Sequence, residues 1–422
     1  MKITGITSPW IFRTCTFVIA LIGIFFLYKL SFQITKSFVK SLFVTSFALT
    51  SPIYAYYFNG FIPSIPELTF AIISLYFYVK YFDNVNNKSF TLSIAFLTLS
   101  VLIRSSFAVT YVALLCFEFL RIIRKESTFR NKIIPILTSF LLIFTYYLWN
   151  KHIANLNGTL FLTDLMPSND WNDFWHRMTK AKDNWQYHYF GKIHYYSFIV
   201  IVVIAMLSVC LKKFKSKEDH NCKRTLPLYF LIIIMFFAYA LFTLAMGKQF
   251  PNHDYYFIDT YFLPLLISLI LILKSLPIKT NYFQKTISVL ISSILIVFML
   301  INVKEMQQKR RAKYWGEASE RTIKNYQGSE EFLDSMNVSK GAKILTLYSY
   351  PQNTPFILMN RKGYTLMDEK DLSIETALSF DYDYVIVEKE IYDKKYKGRS
   401  ELFFDLKYVS DNGKIMLFVK GN

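Results

Sequence analysis

Acidic side chains are scarce in this chain: 30 Asp and Glu stand against 48 Lys and Arg over 422 residues, a formal net charge of +18. A surplus of that size can mark a nucleic-acid binder. Here the basic residues gather in the short stretches between long apolar runs, which is how membrane proteins encode orientation, so no nucleic-acid partner is expected. Cysteine is scarce too, with four residues. Cys15, Cys116 and Cys210 fall in apolar runs and Cys222 in a basic stretch, with no pair at a useful spacing. Neither a disulfide nor a zinc site is expected. The N-terminus has no small-residue cleavage site of the secretory kind: Lys2 is followed by Pro9-Trp10 and an apolar run.

What the chain has in excess is apolar surface. It is 53% hydrophobic and 18% aromatic, with a mean hydropathy of +0.28, values seldom reached by a soluble domain. About ten spans can be drawn, at 10–28, 41–58, 67–82, 89–103, 105–121, 133–150, 195–211, 226–246, 255–273 and 285–303. The runs 89–103 and 105–121 are short for a straight crossing, and Arg104-Ser105-Ser106 between them reads as a tight external turn. The Lys and Arg bias sets the orientation. Arg121, Arg124, Lys125, Arg130 and Lys132 then fall inside, as do Lys212, Lys213, Lys215, Lys217, Lys223, Arg224 and Lys279. Residue 1 and the tail beyond Val303 fall outside.

The external stretch 151–194 carries Trp171, Trp175, Trp185, Tyr187, His188 and Tyr189. Two readings stand: an amphipathic helix at the headgroup level, or a lid that stacks on a sugar or lipid. After Val303 the composition turns polar. Residues 304–325 have a helical pattern. Short β-like runs follow at Lys343 to Tyr348 and Tyr384 to Val387, with a hairpin from Leu406 to Val409 and Lys414 to Val419 around Asp411-Asn412-Gly413. The expected fold class is an α-helical polytopic membrane protein, residues 1–303, with a small C-terminal α/β extracytoplasmic domain, residues 304–422. That second region has no Gly-rich phosphate loop, no His-Glu-x-x-His pattern and no repeat.

Ionisable groups close to the membrane are costly unless used or paired, so those on one face are informative. On the outer face these are Glu67, Arg104, Lys248, His253, Asp254 and Asp259, with Arg13 a few residues into the first run. Glu67 follows Pro66 and either complements the helix dipole, orients an acceptor or binds a metal. Arg104 at a tight turn suits a phosphate through paired charge-assisted bonds, or snorkels to headgroups. His253-Asp254 fits a base with its orienter, a metal pair or a hydrogen-bonded corner. Tyr255 and Tyr256 alone would be an aromatic belt. In the stretch Gly247 to Pro264 a cation, an imidazole, a carboxylate and two phenols crowd together between two apolar runs.

His253-Asp254-Tyr255-Tyr256 followed by Pro264 is similar to a late-span motif of bacterial GT-C-type membrane glycosyltransferases, the protein-mannosyltransferase-like and aminoarabinose-transferase-like proteins. Phe12-Arg13 and Gly23 to Lys29 resemble their second span. Ser51-Pro52, Tyr56-Tyr57 and Pro66-Glu67 resemble the passage that follows, with Glu in place of Asp. Leu102-Ile103-Arg104 resembles a later Lys/Arg turn, and Tyr350-Pro351 with Leu358 to Gly363 the start of their outer domain. The resemblance implies sugar transfer from a polyprenyl-phosphate donor to a glycan, lipid or protein acceptor at the outer face of a bacterial inner membrane. In it Glu67 and Asp254 would be the catalytic carboxylates. Arg104, Lys248, His253, Tyr255 and Tyr256 would bind substrate, and a divalent metal ion is an open alternative. The family's chief carboxylate lies in its first external loop. Residues 1–9 hold no Asp or Glu, so the resemblance implies a chain without that first span and loop, in which Glu67 or Asp254 would substitute. A transport or binding protein, or a non-catalytic remnant, is the competing reading.

Overall fold

The computed structural model describes residues 9–60, 62–84, 86–157, 165–213, 222–276, 282–314, 320–350, 353–367, 371–397 and 405–421. Residues 1–8, Lys215, Lys217, Lys279 and Pro351 lie outside them. The chain divides into two compact units, residues 1–307 and 308–422.

The first unit is helical. Helix α1 (Pro9–Thr35) opens on a proline, whose missing N–H costs nothing in a first turn, and continues with few polar breaks. It packs against α4 (Ser64–Asn84). Gly23 makes that approach possible: a Cβ there would stand 2.4 Å from Thr69 Oγ1. Small residues at such contacts let membrane helices approach closely. The run expected at 41–58 is two helices, α2 (Phe38–Leu49) and α3 (Pro52–Tyr57). Pro52 forces the break, because a residue before proline is driven to extended backbone, and Ser51 has φ −61° and ψ 126°. Buried His194 and Thr50 share a hydrogen bond at 3.1 Å beside the break, and Ser51 Oγ donates to the Tyr189 carbonyl at 2.8 Å.

Helix α5 (Asn87–Ile103) packs on α4 and ends at Arg104, whose backbone is extended. A single 3₁₀ turn, Ser105–Phe107, leads into α6 (Ala108–Ile123). The tight turn expected here is present. At the far end of α6 Glu118 is buried and accepts from Tyr78 at 2.6 Å, Ser127 at 2.7 Å and Arg121 at 2.9 Å. Buried Lys132 also donates to it. Helices α7 (Ile133–Asn157), α8 (Trp171–Tyr189), α9 (Lys192–Lys213) and α10 (Cys222–Ala245) follow. A π turn, Ile258–Phe262, then precedes α11 (Leu263–Ser275), and α12 covers Tyr282–Tyr314. Six of the described helices are long and apolar enough to cross a membrane, seven if the bent pair α8–α9 counts as one span. The spans expected at 41–58 and 89–103 are represented by shorter apolar helices, Phe38–Leu49 and Asn87–Ile103.

The second unit is a five-stranded sheet with short helices α13 (Glu320–Tyr326), α14 (Ser329–Ser335), α15 (Thr354–Met359) and α16 (Asp371–Leu378). The strands are β1 (Lys343–Leu347), β2 (Lys362–Leu366), β3 (Tyr384–Glu388), β4 (Leu406–Asp411) and β5 (Ile415–Lys420), in the order β2-β1-β3-β5-β4. β1 pairs in parallel with β2 and β3, whereas β5 runs antiparallel to β3 and β4. β1 and β3 are buried almost throughout, as parallel strands covered on both faces are. β2 is a strand that the apolar pattern misses: Lys-Gly-Tyr-Thr-Leu sits at the sheet's edge and is half exposed. Arg361, from the resemblance to the outer domain, is buried as a brace: it donates to Asp334 at 2.6 Å and to the Val338 carbonyl at 2.7 Å.

The β4–β5 turn supplies a pH test. Asp411 accepts from the Tyr408 hydroxyl at 2.7 Å, and from Lys389 and the Gly413 N–H, each at 2.9 Å. These bonds, Tyr408's first, hold its carboxyl down at about 2. The folded form therefore binds this proton less readily than the unfolded chain does. Asp411's contribution is complete above the ordinary aspartate range and disappears as pH falls through about 2. Asp411→Asn is expected to lower the unit's melting temperature at pH 7 and to make no difference near pH 2, as read by circular dichroism across that range.

Candidate active site

The site assembles where the α5–α6 turn meets the stretch before α11. Arg104 is its centre. An extended backbone at the end of α5 sends its side chain across to α4 and the π turn. One guanidinium nitrogen lies 2.9 Å from Asp259, and another donates to Ser64 Oγ at 2.8 Å. Its carbon stands 4.5 Å from the Tyr255 ring centroid and 5.7 Å from that of Tyr256, a cation held over aromatic rings.

Glu67 is in the first turn of α4, where a carboxylate complements the helix dipole. Its side chain does not reach solvent. It is fully buried, faces the Asp259 carboxyl, and lies within the field of Arg104. Two carboxyls therefore share one guanidinium. The π turn carries Asp259 to that position; such turns are frequent at functional sites.

Asp254 is also buried, and its Oδ1 accepts from the Tyr57 hydroxyl at 2.7 Å. That bond ties α3 to the His253–Tyr256 stretch. The His253 ring lies 5.1 Å from that of Tyr255 and 5.9 Å from that of Tyr256. Burial first, and then the charge of Arg104, lower the His253 pKa below the ordinary histidine value of 6.5, against an opposing pull from Asp254. At neutral pH the imidazole is uncharged and can accept a proton.

Five of the expected residues, Glu67, Arg104, His253, Tyr255 and Tyr256, are thus brought together, and Asp254 joins them through the same stretch. Lys248 is placed elsewhere: its N–H donates to the Met166 carbonyl at 3.1 Å, and its charge acts on Asp173 in the first turn of α8. Three residues were missing from the expected set. Asp259 was visible as a charged residue of the outer face, but its proximity to Arg104 needs the π turn. Tyr57 was visible only as part of the Tyr56-Tyr57 motif, without its link to Asp254, and Ser64 carried no signal beyond its closeness to Pro66. Among the described residues no three His, Cys, Asp or Glu side chains are placed to hold a metal ion.

The family model described as dolichyl-phosphate-mannose-protein mannosyltransferase matches residues 1–149, which contain Tyr57, Glu67 and Arg104. Among solved structures, ArnT from Cupriavidus metallidurans bound to undecaprenyl phosphate superposes with a TM-score of 0.53 at 10% identity. The match covers 99% of this chain and 85% of that one. The helical region has the GT-C fold. The apo structure of the same ArnT gives a TM-score of 0.41 at 7% identity, over 96% of this chain and 83% of that one. No curated protein matches the sequence. Within the GT-C fold, the family match ends before the His253–Tyr256 stretch, so that half of the site rests on its own geometry: the Tyr57–Asp254 bond and the two rings against Arg104.

Proposed function

We propose that the chain is a multi-pass membrane glycosyltransferase of a bacterial inner membrane. It moves a sugar from a polyprenyl-phosphate donor to a glycan, lipid or protein acceptor on the outer face, where the second unit also lies. The observation that carries this reading is the Arg104 cluster: one half-buried cation, two buried carboxyls and two phenols within a GT-C helical region. The reaction breaks the bond between the sugar's anomeric carbon and the phosphate oxygen, and forms one to an acceptor hydroxyl. Negative charge grows on the departing phosphate, which a fixed cation stabilises. The acceptor hydroxyl loses its proton to a base. In this scheme Arg104 receives the phosphate charge, with Asp259 and Ser64 fixing its guanidinium. Neutral His253 takes the proton, with the buried Asp254 carboxyl next to it in the chain and that of Glu67 beside Asp259.

The test is transfer of radiolabel from polyprenyl-phosphate sugars by the purified chain in proteoliposomes, with membrane extracts as acceptor source. Label appearing in a lipid, glycan or protein fraction supports the reading; label remaining on the donor across the common sugars removes it. The His253 environment adds a second expectation. With a base of lowered pKa, the acidic fall in activity is expected to be centred below pH 6.5, as His253 takes up its proton. His253→Gln should lose that acidic limb along with most of the rate, as measured in a pH–rate profile of both forms.

A further inference from the structure

Helix α8 meets α9 at 88°, across the corner Phe190–Gly191. α9 exposes Ile199, Val200, Val203, Ile204 and Leu207, so its axis runs through hydrocarbon. A helix at right angles to it lies along the membrane plane, at the depth of α9's first turn. That turn carries Lys192, Tyr195 and Tyr196, residues of the headgroup level. Gly191 lets the corner sit against α12: a Cβ there would stand 1.6 Å from Asn302 Oδ1.

One edge of α8 exposes Trp171 and Trp175, a turn apart, at 64% and 63%. That edge flanks the inward stripe of the helix, on which Ala181 and Trp185 pack on Phe250. Trp185 Nε1–H donates to the Pro251 carbonyl at 2.9 Å, and Asn184 to the same oxygen at 3.4 Å. Pro251 stands two residues before His253. On the other side of the His253–Tyr256 stretch, Tyr189 stacks on Phe257 at 4.2 Å between centroids. The stretch is therefore held by α8 at both of its ends.

We propose that α8 docks on the headgroup layer of the surrounding phospholipid leaflet through Trp171 and Trp175, and that Trp185 transmits that anchorage to the His253–Tyr256 stretch. The occupant of the Trp edge is the lipid interface. The right angle to a lipid-facing helix places that edge at the water–hydrocarbon boundary, where the indole ring is favoured. Trp185 is a positioning residue. The docking itself does not depend on the proposed reaction; only the meaning of the positioned stretch rests on it.

The test uses the full chain in phosphatidylcholine–phosphatidylglycerol nanodiscs, its four cysteines replaced by serine and one nitroxide introduced at a time. At Trp175→Cys the label is expected to collide with oxygen more than with an aqueous nickel chelate, and at exposed Lys180→Cys the reverse. Equal, high access to the chelate at both sites overturns the docking. So does shielding at 175 that appears only when an oligosaccharide is added, which would make the edge a glycan platform. For the transmission, Trp185→Phe keeps a ring but removes the N–H. With a nitroxide at Asn252→Cys it is expected to shift the spectrum toward motional narrowing while the melting temperature stays unchanged. An unaltered spectrum overturns Trp185 as the link. Both readouts are independent of activity, so a failure here is separable from a failure of the glycosyltransferase reading.

Discussion

Arg104→Ala is expected to lower sugar transfer by about 10²–10³-fold, the usual scale for losing one preorganised charge that meets a developing anion. The reason lies in how the guanidinium is held. Asp259, Ser64 and the Tyr255 ring fix its orientation before any substrate arrives, so little reorganisation is left for the reaction itself. Removing it also leaves Glu67 and Asp259 facing each other in a buried place without their cation. Some loss of stability is therefore expected alongside the loss of rate, and the two must be separated. Arg104→Lys does so: it keeps the charge and forfeits the planar fork that bridges Asp259 and Ser64. The lysine form should melt near the wild type and recover part of the rate. A rate in Arg104→Ala equal to wild type, in protein shown to be folded, would remove Arg104 from the reaction.

The second large effect concerns stability, at the opposite end of α6. Glu118→Ala is expected to destabilise the helical unit by about 3–5 kcal/mol, the cost of breaking a buried ion pair by removing one partner. Glu118 collects Tyr78, Ser127, Arg121 and Lys132, and its loss strands the buried Lys132 ammonium. The prediction has an internal check. Replacing a buried pair with apolar groups is often neutral, so Glu118→Leu combined with Lys132→Met should recover much of what Glu118→Ala loses. Thermal melting in a single detergent measures both. A double variant no better than the single one would mean that the cluster acts through hydrogen bonds to Tyr78 and Ser127 rather than through charge.

How far the sequence reached can be followed residue by residue. Long apolar runs made the helices legible, because hydrocarbon admits few other backbone arrangements. The Arg104 turn was legible because two short runs need one. The β4–β5 hairpin was legible from Asp411-Asn412-Gly413, where Gly413 has φ +82°. The edge strand β2 was not, since an exposed strand has little reason to alternate. The α2–α3 break was hidden inside one apolar stretch, although Ser51-Pro52 held its cause. In the site, residue types near one membrane face lead to the residues around Arg104, whereas Lys248, close to them along the chain, has its contacts with Met166 and Asp173. Asp259 shows the complementary limit. Its partner lies in another part of the chain, and the π turn that aims it leaves no pattern in the local sequence.

On the proposed reading the Arg104 cluster opens on the extracytoplasmic side of the membrane. Asn252 is exposed beside the cluster, and Lys125 is exposed at the Glu118 end of the helical unit. Single cysteines at these positions, in chains otherwise free of cysteine, can be treated with a membrane-impermeant maleimide on intact spheroplasts. Labelling at 252 before lysis and at 125 only after it is the predicted result. Labelling at 125 in intact cells, with 252 protected until lysis, would put the cluster on the cytoplasmic side and contradict the account.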